Sequence, residues 1–103
     1  MPTPTYRGDC PAEVADAITS ILRESILLIR AAANAGDIDY CGVEANHIHN
    51  LPSLLRNFDR AKLERYVTWA RTGYHDEFRR RFDREPSMFV EEWERLVAYL
   101  DKI

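Results

Sequence analysis

Apolar residues recur along this chain at helical spacing, and no stretch alternates as a strand does. At about 100° per residue, Val14, Ile18, Ile21, Ser25, Leu28 and Ala32 fall on one face, with Leu22 and Ile29 close by. They predict a first helix over 11–35. Asp9 or Cys10 is the expected cap, with Pro11 in the first turn and Glu13 and Asp16 at the positive end of the dipole. Gly36 is the expected stop. Ile26 and Leu27 lie off this stripe. A helix so broadly apolar is either central in its bundle or partly covered by a second subunit.

The second predicted helix runs from 37 to 49 or 50, with Ile38, Cys41, Ala45 and Ile48 along one face. Leu51-Pro52 ends it, because proline disfavours the helical conformation of the residue before it. A short helical turn over 53–57 then carries Leu54 and Leu55 into the core. The third predicted helix spans 59–82, capped by Asp59, with Leu63, Tyr66, Val67, Ala70, Tyr74 and Phe78 as its stripe. Gly73 lies on that face and predicts close approach by another helix. Trp69 projects roughly 120° from the stripe centre, among Lys62, Arg65, Thr72 and Asp76. The fourth predicted helix begins at Pro86 or Ser87 and ends at Asp101, with Phe89, Trp93, Leu96, Val97 and Leu100 facing inward. These elements and their short connections predict an all-α fold, an antiparallel up-down bundle of four helices with a short helical turn after the second.

Length and composition narrow the class. A chain of 103 residues, 46% hydrophobic and 30% charged, is one globular domain, with residues 1–9 read as an extended arm. No run approaches the roughly 20 apolar residues of a membrane span, and the N-terminus has no signal-peptide pattern, so a cytoplasmic location is expected. Cys10 and Cys41 read as reduced thiols, Cys41 as a small core residue and Cys10 as a residue at a helix start. The net charge is −3, but residues 56–84 carry nine bases against five acids. That asymmetry predicts a basic helix packed between acidic ones. The run Arg79-Arg80-Arg81 with Arg84 reads as a solvated helix end, diluted by Asp76, Glu77, Asp83 and Glu85, and no nucleic-acid partner is expected.

Chemistry concentrates in Glu44-Ala45-Asn46-His47-Ile48-His49-Asn50-Leu51-Pro52. Glu44 and His47 have the Glu-x-x-His spacing of di-iron bundles, but His75 has Thr72 three residues before it, so the second pair such a site needs is missing. The metal candidates are therefore His47, His49 and His75 with Glu44. Helical geometry sends His47 and His49 to opposite sides. It places His49 at the core edge as a structural residue, and His47 at the surface with Glu44 and Tyr40. No nucleophile elbow, phosphate loop or cofactor motif is present, so neither catalytic nor cofactor-binding residues are assigned and no enzymatic activity is expected. Off-stripe Trp69, Tyr40 and Val43 read either as a second buried face or as anchors for a partner.

The segment from Leu22-Arg23-Glu24 to Arg30, then Gly36-Asp37, then His49-Asn50-Leu51-Pro52, resembles a pattern in small bacterial all-helical proteins. The resemblance covers about the first half of the chain and implies a bacterial source, with no activity attached. The sequence thus predicts a non-enzymatic protein–protein interaction module, a homodimer through its first and third helices, with Tyr40, Glu44, His47 and Trp69 as partner surface. The alternatives are a metal-binding bundle and a toxin-neutralising immunity protein, for which a small acidic domain suits basic targets.

Overall fold

A computed structural model describes residues 10–83 and 89–102. The expected arm over 1–9, the cap at Asp9, the start of the last helix at Pro86 or Ser87, and Arg84 and Glu85 beside the basic run lie outside the described residues. Among the described residues six α-helices follow one another: α1 (Ala12–Asn34), α2 (Ile38–Ile48), α3 (Leu51–Arg56), α4 (Arg60–Trp69), α5 (His75–Phe82) and α6 (Val90–Asp101). A π-helical turn, Ala70–Tyr74, joins α4 to α5 without a break. The third predicted helix is thus continuous over its expected length but carries one wide turn. The all-α class is as expected, and no strand occurs among the described residues.

Local chemistry accounts for the boundaries. Pro11 is the cap residue of α1, and no side chain closes that end. Gly36 ends α1 at φ 77°, a conformation that costs glycine little. Asp37 caps α2 by accepting from the Tyr40 N–H at 3.2 Å. Asp59 caps α4 by accepting from the N–H groups of Ala61 and Lys62 at 3.0 and 3.3 Å. Pro52 sits in the first turn of α3, where its missing N–H is no loss.

α1 is the central helix and packs against α2, α3 and α6, while α6 also meets α4. Its expected stripe is buried at Val14, Ile18, Ile21, Ser25 and Ala32. Leu51, Leu54, Leu63, Tyr66, Val67, Ala70, Tyr74, Phe78, Phe89, Trp93 and Leu96 complete the core. Ser20 donates to Glu92 at 3.1 Å and Lys102 pairs with Glu13 at 3.3 Å, linking α1 to α6 along both helices. No helix among the described residues is long and apolar enough to cross a membrane.

Two expectations about packing reverse. Ile38, placed in the core by periodicity, is 71% exposed, and Ala45 is exposed too. The buried side of α2 is Tyr40, Glu44 and His47, a polar face. The atoms nearest Gly73 belong to its own helix. A Cβ there would stand 2.6 Å from Nε1 of Trp69, one turn earlier on the same helix, so the indole itself fills the space.

Candidate functional site

Tyr40, Glu44 and His47 stand at i, i+4 and i+7 on α2, the spacing of a buried stripe. Burying such a face is tolerable only if each polar atom finds a partner. Glu44 Oε2 accepts from the hydroxyls of Tyr40 at 2.8 Å and Tyr74 at 2.9 Å. Glu44 Oε1 lies 3.2 Å from His47 Nδ1, and His47 Nε2 lies 2.9 Å from the Tyr66 hydroxyl. A proton on Nδ1 donated to Glu44 leaves Nε2 to accept from Tyr66, so every polar side-chain atom of Glu44 and His47 is engaged.

The π-helical turn brings the two core tyrosines onto this network. In an unbroken α-helix, Tyr66 and Tyr74 would differ by about 80° in azimuth. One residue absorbed in a wide turn removes about 100°, which leaves the two phenols within about 20° of each other. Rings then close around the imidazole. Tyr74 stacks on His47 at 4.0 Å between centroids, with Phe89 at 5.4 Å, Tyr66 at 5.8 Å, Trp69 at 6.0 Å and Trp93 at 6.3 Å.

Electrostatics follow from burial and these bonds. Desolvation works to raise the Glu44 pKa. The hydrogen bond from His47 and the attraction of its ring oppose it first, then Ser25 and Tyr40, and together they hold the carboxyl below its ordinary value. The buried Ser25 hydroxyl is near Glu44 without closing a hydrogen bond of normal geometry. Desolvation, reinforced by the Glu44 charge, pushes the phenols of Tyr40, Tyr66 and Tyr74 far above the usual tyrosine range. The centre is thus an anionic carboxylate held by neutral phenols.

The sequence-based candidates divide. Tyr40, Glu44 and His47 are brought together, but inside the protein: His47 is 1% exposed, and the partner surface expected there is not a surface. His49 is the exposed histidine, so the two sides foreseen for the pair are interchanged. Trp69 is 40% exposed, as expected for an off-stripe residue. His75 packs on Trp93 at 4.9 Å between centroids. Among the described residues, no group of three or more His, Cys, Asp or Glu side chains could hold a metal ion. Tyr66 and Tyr74 entered the sequence reading only as core positions. Three tyrosines on buried faces, where phenylalanine would pack equally well, are the signal that a buried acceptor exists.

Two depressions flank this centre. Asn46, His47, Asn50, Lys62, Arg65, Tyr66 and Trp69 line a cleft of about 340 Å³ between the end of α2 and α4. Leu28, Ala31, Ala32, Ala35, Asp37, Tyr40, Phe78 and Phe82 line an apolar groove of about 300 Å³ between α1 and α5. The basic run is neutralised nearby: Arg79 pairs with Asp76, Arg80 with Glu77 at 2.8 Å, and Arg81 with Asp37. The Arg81 bond is the chief reason that the Asp37 carboxyl lies below its usual range.

Comparison with known proteins found no matching family model, no matching curated protein and no matching solved structure.

Proposed function

We propose that this protein is a non-enzymatic interaction module of the bacterial cytoplasm that pairs with a second copy of itself through the groove between α1 and α5. The observation that carries this reading is the apolar composition of that groove together with its unburied rim. Phe82, 39% exposed, lines the groove with Leu28, Ala31, Ala32, Ala35, Asp37, Tyr40 and Phe78, and Leu27, 53% exposed, lies one helical turn before Ala31. Contiguous exposed apolar surface of this kind marks contact sites. The polar border carries both signs: Asp39, Glu77, Arg80 and Arg81 surround the adjoining depression. A two-fold axis sets each patch against its own copy, so a border with acids and bases side by side is self-complementary.

The buried centre supports the non-catalytic half of the proposal. Its phenols are shifted away from the range in which tyrosine acts as a nucleophile or base, and its carboxylate is saturated with donors. Such a network fixes the placement of α2 against α4 and the π-helical turn that leads into α5, and α2 and α5 lend Tyr40, Phe78 and Phe82 to the groove.

Sedimentation velocity over about 10 µM to 1 mM tests the proposal, a range that spans weak to moderate self-association. The wild-type chain is expected to dimerise, and Leu27→Glu and Phe82→Glu are expected to be monomeric with unchanged helical circular dichroism. A wild-type chain that stays monomeric throughout overturns the reading.

A further inference from the structure

The cleft between α2 and α4 has no place in the pairing proposed above, and its chemistry is distinct. Lys62, Arg65 and Trp69 project from one side of α4, with Tyr66 between them, at the i, i+3, i+4 and i+7 positions of a single face. Asn46 and Asn50 stand opposite, at the end of α2 and the start of α3. Two permanent cations and two amides therefore converge on one depression, and no carboxylate lines it. Lys62 gives one hydrogen bond to the Ser53 hydroxyl at 3.2 Å and retains further donors. Among the described residues, neither Lys62 nor Arg65 is ion-paired, whereas Arg79, Arg80, Arg81, Arg95 and Lys102 each have an acidic partner.

The remaining wall is aromatic. Trp69 lies over Gly73 and borders this cleft as well as the neighbouring one lined by Ala61, Glu64, Arg65 and Thr68. Tyr66 and His47 form a floor that cannot move to meet a ligand, since both are tied into the Glu44 network. Fixed polar groups beside an apolar wall, in a volume of this size, are the general form of a small-molecule site.

We infer that this cleft binds a small organic anion, an aromatic ring bearing a carboxylate or phosphate, with Arg65 and Lys62 on the oxyanion and Trp69 against the ring. Arg65 can meet a carboxylate or phosphate through two parallel N–H bonds, and Lys62 adds a point charge. The asparagine amides can donate to the same oxygens.

Titration of the intact wild-type chain with benzoate, phenyl phosphate, inorganic phosphate and benzyl alcohol tests the inference, followed by amide and indole N–H shifts in NMR spectra. Saturable shifts at Asn46, Asn50, Arg65 and the Trp69 indole are expected with benzoate or phenyl phosphate, in the millimolar range usual for such fragments. Arg65→Ala, at an exposed position, is expected to weaken binding about tenfold while leaving the spectrum of the core unchanged. Benzyl alcohol binding as tightly as benzoate overturns the assignment of the cations. Inorganic phosphate binding as tightly as phenyl phosphate overturns that of Trp69. Absence of saturable shifts at about 10 mM of every probe overturns the site itself. Because the cleft shares no lining residue with the groove that holds Phe82, these outcomes are independent of whether the chain dimerises.

Discussion

Replacing Glu44 by Gln tests the account of the buried centre most directly, because it changes charge at nearly constant volume. The wild-type carboxylate accepts from Tyr40 and Tyr74 and engages His47 Nδ1. A carboxamide offers one acceptor oxygen and turns an NH2 group toward hydroxyls or imidazole that were themselves donating. At least one charge-assisted bond is lost, worth roughly 1.5–3 kcal/mol, and a buried donor is left facing another donor. The expected cost is about 3 kcal/mol, a large fraction of the roughly 5–15 kcal/mol that stabilises a domain of this kind. In a chain of this length that lowers Tm by roughly 10–25 °C. Urea unfolding followed by circular dichroism at pH 7 gives the number. The sign of the pH dependence is also fixed. The Glu44 pKa is lower folded than its ordinary 4.5, so its contribution is fully present above about 4.5 and disappears as pH falls through the folded value. The gap between wild type and Glu44→Gln is therefore expected to be widest near neutrality and to narrow in acid. A variant within 0.5 kcal/mol of wild type at pH 7, on the order of an ordinary surface change, would refute the reasoning.

Three further outcomes follow from the packing. Leu51→Ala, at a fully buried site, is expected to cost about 2–5 kcal/mol in urea unfolding, whereas Ile38→Ser is expected to change stability by under about 0.5 kcal/mol; equal costs would contradict the placement of α2. Gly73→Ala is expected to gain up to about 1 kcal/mol of helix propensity while displacing the Trp69 indole. An unshifted Trp69 indole N–H resonance in the folded variant would contradict the close approach. Asp59→Ala is expected to cost about 1 kcal/mol and to speed amide exchange at Ala61 and Lys62; unchanged protection there would mean that the cap does not bind them.

Helix existence was legible wherever apolar spacing and caps agreed. The stripe of the 59–82 helix, the cap at Asp59 and the stop at Gly36 could all be read before any coordinates. The orientation of α2 could not, because counting apolar residues favours Ile38 and Ile48 as the inner face. What decides the matter is pairwise: a carboxylate, an imidazole and three phenols from two distant segments satisfy one another, and no single residue announces it. The π-helical turn was equally invisible, since a regular helix keeps the same residues within one broad stripe. Trp69 stands apart from the stripe as its spacing predicts, but of its neighbours across the cleft, Asn46 lies on the helix whose rotation apolar spacing misplaces and Asn50 just beyond its end.

The wide turn at Ala70–Tyr74 also makes chain length itself a variable at that point. Deleting one residue there lets the helix run on as regular α, so folding need not fail outright. Tyr66 and Tyr74 would then stand seven residues apart in a regular helix, again within about 20° of each other, so the Tyr74 hydroxyl keeps its place on the Glu44 carboxylate. A single-codon deletion, usually ruinous inside a helix, would be absorbed here, retaining both the helical scaffold and its polar centre.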